Sequence, residues 1–166
     1  MPIDILHVDD RLVHGMVAIT WLNWSKSDVL AVVNDDVVND PIAKAMIPLA
    51  VPERVSVEIA TVDDFINKIK NNHYGEKHIF IIVKTAKDAL RIVEGGVKLQ
   101  RVNIGIVAPP TGVKDGVHIT KSTYVTKEDV ETYRNLSKIV PEFTVQLIPS
   151  DPKYDAINLL NKHKID

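Results

Sequence analysis

The chain has 166 residues, a length that favours one domain, and a formal net charge of −2. With no basic stripe to neutralise a phosphate backbone, nucleic-acid binding is not expected. It contains no cysteine, which excludes disulfides, thiolate catalysis and cysteine-ligated zinc and fits a reducing compartment. Its apolar runs fall far short of the ~18 residues that a membrane-spanning helix requires. The opening Met1-Pro2-Ile3-Asp4-Ile5-Leu6-His7 lacks a basic segment followed by an apolar one, so no signal peptide is expected. Work at a membrane is then expected to go through a docked partner.

Short β-branched runs alternate with helical patterns. Ile3 to Val8 reads as a buried strand and Gly15 to Trp24 as a helix. Val29 to Val33 is a second strand. Asn39-Asp40-Pro41 then opens a helix, a capping residue followed by proline at the first helical position. Val55 to Ile59 is a third strand, and Thr61-Val62-Asp63-Asp64 resembles a capping box for a helix to about Asn71. His78 to Val83 is the clearest central strand. Thr85 opens the next helix, which Gly95-Gly96 ends.

Val102 to Val107 is a further strand, and Ala108 to Val125 reads as loop with short strands. Thr126 to Asp129 caps a helix to about Lys138. Phe143 to Ile148 is the last strand, and Asp151-Pro152 starts a C-terminal helix. The pattern predicts an α/β fold: an open, mainly parallel central sheet with helices on both faces, in a single domain over 1–166.

In such a sheet, ligands bind beyond the carboxyl ends of the strands. The first strand-to-helix loop, Asp9-Asp10-Arg11-Leu12-Val13-His14-Gly15, packs two acids, a guanidinium, an imidazole and a glycine into seven residues. This set suits phosphoryl transfer. A neutral histidine is a competent nucleophile toward phosphorus. Arg11 offers a planar fork of donors for the phosphoryl oxygens. The backbone N–H groups from Gly15 to Val17 lie at the positive end of the helix dipole, and Gly15 permits close approach. Asp9 or Asp10 would orient the ring or hold Arg11. The plainer reading is a hydrogen-bonded loop histidine beside a solvated, locally ion-paired turn; spacing alone does not separate the two.

The stretch from Val8 to Val17, ending at Trp21, closely resembles the signature loop of enzyme IIB of the mannose/fructose/sorbose class of the bacterial sugar phosphotransferase system. The similarity continues through Val33-Asn34-Asp35-Asp36 with Asn39-Asp40. It includes Val93 to Val97, Val102 to Gly105, and Gln146 to Asp151. The resemblance implies a phosphocarrier in which His14 accepts a phosphoryl group from phosphohistidine on a IIA subunit. The group then passes to a sugar held by membrane subunits IIC and IID. Arg11 is expected to stabilise the phosphate. No cofactor is implied. The implied location is cytoplasmic, peripherally associated with the inner face of the membrane through partners. Mannose, fructose, sorbose and amino sugars all fit, because hexose specificity is expected to lie mainly in the membrane subunits.

Two positions depart from the family pattern. Met16 stands where glutamine usually follows His-Gly, and Asn103-Ile104-Gly105-Ile106 stands where Asn-x-Gly-Gly is common. Loss of the glutamine amide points to a change in sugar class, partner choice or transfer activity.

Beyond the loop, Asn34, Asp35 and Asp36 are candidates either for the site rim or for turn formation and helix capping. Lys84 and Thr85 lie at the same sheet edge, Thr85 primarily as a cap. The Gly105–Gly112 loop shapes the mouth of the site or simply turns the chain. These groups are expected to surround His14 at an open surface where a IIA partner docks weakly. His7, on one face with Ile3 and Ile5, reads as a partly buried structural histidine. Trp21 and Trp24 read as core or helix-packing residues. The remaining histidines lack ligand spacing, so no metal site is expected. A non-catalytic regulatory module of the same fold is the alternative. An unrelated nucleotide-binding enzyme is disfavoured, because no glycine-rich phosphate loop follows any strand.

Overall fold

Residues 3–165 are described in the structure, a computed structural model of the protein. Met1 and Pro2, on which part of the leader-peptide reading falls, and Asp166 lie outside them.

Ile3–Val8 forms β1, and Gly15–Ser25 forms α1. Val29–Val33 is β2, Pro41–Met46 is α2 and Ser56–Ala60 is β3. Val62–Lys70 is α3, Ile79–Val83 is β4, Ala86–Glu94 is α4 and Arg101–Ile104 is β5. A short hairpin follows, β6 at Val117–His118 and β7 at Tyr124–Val125. Then come α5 at Lys127–Ile139, β8 at Glu142–Val145, β9 at Tyr154–Asp155 and α6 at Ala156–Lys162.

The caps expected at Asp40, Thr61, Thr85 and Thr126 are present, Thr61 through its hydroxyl bond alone. Asp40 accepts from the N–H groups of Ile42 and Ala43, Thr61 from Asp64 and Thr85 from Asp88. Thr126 and Asp129 cap each other reciprocally, the full capping box.

Seven strands pair in the order β3-β2-β4-β1-β5-β8-β9. All pairings are parallel except β8 with β9. The α/β expectation of an open, mainly parallel sheet with helices on both faces therefore holds. Strand alternation sends Leu6, Val8, Val33, Ile81 and Val83 into one core with residues of α3, α4, α5 and α6. It sends Ile5, Leu30, Val32, Phe80 and Ile82 into a second core with Trp21 and Leu22 of α1 and Ile47 beyond α2. The loop after β1 thus leads to one face, while the loops after its neighbours β4 and β5 lead to the other. This opens a crevice at the carboxyl end of β1.

Most boundaries fall within a residue of expectation, and three differ by more. β5 ends at Ile104 rather than Val107: Gly105 N donates to Val8 O at 2.9 Å, and the chain then leaves the sheet toward the β6–β7 hairpin. β8 ends at Val145 rather than Ile148, because the Gln146 amide turns the chain by donating to Pro149 O and Asp151 O at 3.1 and 2.8 Å. Asp151-Pro152 consequently starts no helix. The segment Tyr154–Asp155 pairs with β8 first, and Asp155 is the true cap of α6, accepting from Asn158 N at 2.9 Å.

Candidate functional site

β1 delivers the chain to its carboxyl end with Asp9 still buried, and Asp9 N donates to Val83 O at 3.0 Å. From there the loop is pinned at three points. Asp9 Oδ1 accepts from Arg11 N at 2.9 Å, Leu12 N donates to Asp9 O at 2.8 Å, and Asp10 N donates to Ile106 O at 2.9 Å. Asp10 also accepts from Ala108 N at 2.7 Å, tying the β1 loop to the segment after β5.

Leu12 is buried in the Trp21 cluster at φ 57°. A left-handed leucine costs about 1–2 kcal/mol, which its burial offsets. Gly15 has φ 59° with open space where a Cβ would sit, so conformation rather than crowding requires glycine there. Between the two left-handed residues, Val13 packs partly against the core. His14, the N-cap of α1, stands exposed with extended backbone and no capping bond from its side chain.

Arg11 lies beside Asp9, Nε to Oδ1 at 3.7 Å, with the guanidinium 41% exposed and the carboxyl 1%. Burial pushes the Asp9 carboxyl up from its usual range, while the Arg11 N–H, the Arg11 charge and nearby His14 pull the other way. Its second oxygen, Oδ2, has no partner among the described residues. The loop therefore holds a half-exposed cation on a buried anion, next to an open imidazole.

The other predicted residues divide. Lys84 and Thr85 line a depression with Asp10, Pro109 and Pro110, so the β4 and β5 loops do converge on the β1 loop. Thr85 spends its hydroxyl on capping α4. Asn34 is buried and accepts from Asp36 N and Val37 N at 3.0 and 2.9 Å, the turn-forming reading. Asp35 accepts from Val62 N at 3.0 Å and pairs with Arg91 at 2.9 Å, locking the β2 loop to α3 and α4. These bonds, with Arg91 alongside, lower its carboxyl pKa. Met16 is 72% exposed beside His14.

His7 is wholly buried rather than partly so, and Gly105 lies against its ring. Trp21 is core, as expected, and its Nε1 donates to Leu147 O at 2.8 Å; Trp24 instead stands half in solvent with its ring edge-on to Trp21. Sequence reasoning missed the residues that the β6–β7 hairpin brings in. His118, Lys121 and Ser122 line a cleft of about 500 Å³ with Asp10 and Arg11. The signal available was their position downstream of a strand ending at the site edge, inside a stretch read only as loop. Among the described residues no cluster of His, Asp or Glu suits a metal ion, and no helix is long and apolar enough to cross a membrane.

The class is an α/β protein with an open, mainly parallel sheet, whose first strand-to-helix loop holds an exposed histidine near an arginine on a buried aspartate, an edge that suits an anion. Residues 3–166 match the family of PTS system sorbose subfamily IIB components, and the chain belongs to it. It is similar to the sorbose-specific EIIB component of Klebsiella pneumoniae, 26% identical over 98% of this chain and 97% of that one. It is 30% identical to an N-acetylgalactosamine-specific phosphotransferase enzyme IIB component of Escherichia coli, covering 96% of this chain and all of the relative. Against the mannose-specific EIIAB component of E. coli it is 29% identical but spans only 49% of that protein's length. Among solved structures, the IIBSor domain of the K. pneumoniae sorbose permease superposes with a TM-score of 0.92 at 25% identity, covering both chains fully.

Proposed function

We propose that this phosphotransferase-system IIB component carries the phosphoryl group on His14. The observation that carries this reading is the exposed, uncommitted imidazole at the start of α1, set in a loop pinned on both sides. A donor histidine must bring its phosphorus in line with a ring nitrogen of His14, and that requires an open surface. One P–N bond breaks on the donor ring as another forms on His14. If each ring keeps the proton on its other nitrogen, no protein base is needed.

The transferred group carries close to two negative charges. Arg11 supplies a planar fork beside it, and the first N–H groups of α1 add their dipole. Asp9 acts through Arg11, keeping the guanidinium in place before the phosphoryl arrives. Asp10 acts through the loop, holding it against Ala108. Lys84 adds positive charge at the rim, and Gly15 supports the helix start.

The donor is a phosphorylated IIA protein, a pairing supported by the mannose-specific EIIAB relative, whose name joins the two functions. The acceptor is a sugar presented by membrane IIC and IID subunits, with the IIB domain peripheral to them on the cytoplasmic side. Exposed Met16 faces these partners where the family pattern carries glutamine. The contact with IIA is small, below about 1,200 Å² in total, since a shuttle must release its donor.

Incubation with the general phosphotransferase proteins, a cognate IIA and phosphoenolpyruvate tests this. The expected result is an acid-labile adduct on His14 that discharges to sugar in the presence of the membrane subunits. An adduct that forms on IIA but never on this chain would mark it instead as a regulatory paralogue.

A further inference from the structure

Lys121 sits at the tip of the β6–β7 hairpin, and that tip is built to hold it still. Thr120 Oγ1 accepts from the N–H groups of both Ser122 and Thr123, at 3.2 and 3.1 Å. Ile119 N donates to Thr123 O at 2.9 Å across the turn. The hairpin is fastened to the sheet edge in turn. The buried Thr123 hydroxyl donates to Gly105 O at 2.6 Å, Val107 N to Ser122 O at 2.9 Å, and Tyr124 N to Val107 O at 2.8 Å. The His118 ring is braced edge-on against Tyr124, with ring centroids 5.2 Å apart.

This rigid tip presents Lys121 to the same cleft that Arg11 lines, with His118 and Ser122 beside it and Asp10 on the wall. Lys121 is exposed and forms no ion pair among the described residues. Asp10, the acid of the cleft, already accepts from Ala108 N. Arg11 is partly offset by Asp9. A group with close to two negative charges arriving here meets one partly neutralised cation in the β1 loop and one free cation on the hairpin.

We propose that Lys121 is a second phosphoryl-binding cation, reaching the oxygens of the phosphoryl group from the cleft it shares with Arg11 while the group passes through His14. The proposal rests on His14 as the carrier. Lysine suits the task because its ammonium is a point charge on a flexible stem, able to follow phosphorus as it moves between donor and acceptor. Arg11 fixes the orientation of the group, and Lys121 tracks it. Ser122 adds a hydroxyl donor to the same cleft.

The test is single-turnover transfer from phosphorylated IIA onto the parent chain, Lys121→Gln, Lys121→Arg and His14→Ala, across IIA concentrations and at several salt concentrations. At saturating IIA, Lys121→Gln is expected to transfer about tenfold more slowly, the worth of one charge-assisted hydrogen bond. Its rate should also depend less steeply on salt, while Lys121→Arg stays within about threefold of the parent. An unchanged saturating rate in Lys121→Gln overturns the proposal, including the case in which only the IIA concentration for half-saturation rises, which would make Lys121 a docking residue. Full labelling of His14→Ala, or none of the parent, overturns the carrier reading itself and the proposal with it.

Discussion

His7 and His14 stand seven residues apart on one strand-and-loop segment, and their surroundings are opposites. His7 is enclosed between Trp21 and Phe80, with ring centroids at 5.1 and 6.1 Å. Its Nδ1 accepts from Asn103 Nδ2 at 3.0 Å, an orientation set by the Thr144 hydroxyl, which donates to Asn103 Oδ1 at 2.7 Å. The proton then sits on Nε2, which has no partner among the described residues. Burial first, and the charge of Arg101 second, push His7 down from 6.5 to about 3. His14 has none of this enclosure. The same side chain is a core part in one place and a candidate nucleophile in the other, and access decides which.

The sharpest way to break that contrast is to remove each ring in turn. His14→Ala should abolish phosphoryl labelling, while His7→Ala should keep most of it, as measured by transfer from phosphorylated IIA. Full labelling of His14→Ala would reverse the assignment.

Stability should invert the ranking. His7→Ala is expected to lose about 2–4 kcal/mol in urea unfolding, from the cavity and from the one Asn103 side-chain N–H left without its acceptor. His14→Ala should stay within about 0.5 kcal/mol of the parent.

Acid should act through His7. The unfolded chain protonates this ring as pH falls past about 6.5, whereas the folded chain resists until about 3. The stability due to a neutral His7 is therefore complete above that window and is lost progressively as pH falls through it. His7→Asn should flatten the decline of the urea midpoint between these values. An identical slope in parent and variant would show that His7 titrates alike in both states.

Gly105 offers a smaller effect with a built-in control. A Cβ there would lie 2.6 and 2.7 Å from the His7 ring atoms Cε1 and Nε2. Gly105→Ala should cost about 1–3 kcal/mol. In the His7→Ala background most of that cost should vanish, a coupling that a double-mutant cycle measures directly. Additive losses would mean that the His7 ring is not what excludes a side chain at this position. Smallest of all, Met16→Gln should change the unfolding free energy by no more than about 0.5 kcal/mol, because Met16 is largely in solvent.

Much of the fold was legible because its signals are local. The buried β-branched run of β4 and the Thr and Asp caps at Asp40, Thr61, Thr85 and Thr126 depend on neighbours a few residues away. The grouping of Arg11 and His14 at the carboxyl end of β1 was legible too, since one short segment contains both. What escaped depends on which partners a polar side chain takes, near or far along the chain. Gln146 ends β8 and displaces the start of α6 through its own side-chain bonds, which no residue pattern announces. Asn34 and Asp35 suit a site rim and a turn equally by residue type, and their bonds to the turn, Val62 and Arg91 decide between the two. Lys121 comes beside Arg11 only because Thr123 and Tyr124 fasten a hairpin to the β5 edge, across more than 100 residues of chain.

β9 has a consequence for how this protein meets copies of itself. A parallel sheet of this kind leaves unpaired N–H and C=O groups along its outermost strands, a template for sticking edge to edge. Two residues folded antiparallel onto β8 shorten that template on one side. On the other, β3 carries Glu58 paired with Lys68, placing charge along its rim. Strand-to-strand polymerisation is thereby opposed at both outer edges of the sheet, by a short antiparallel strand on one side and a charged rim on the other.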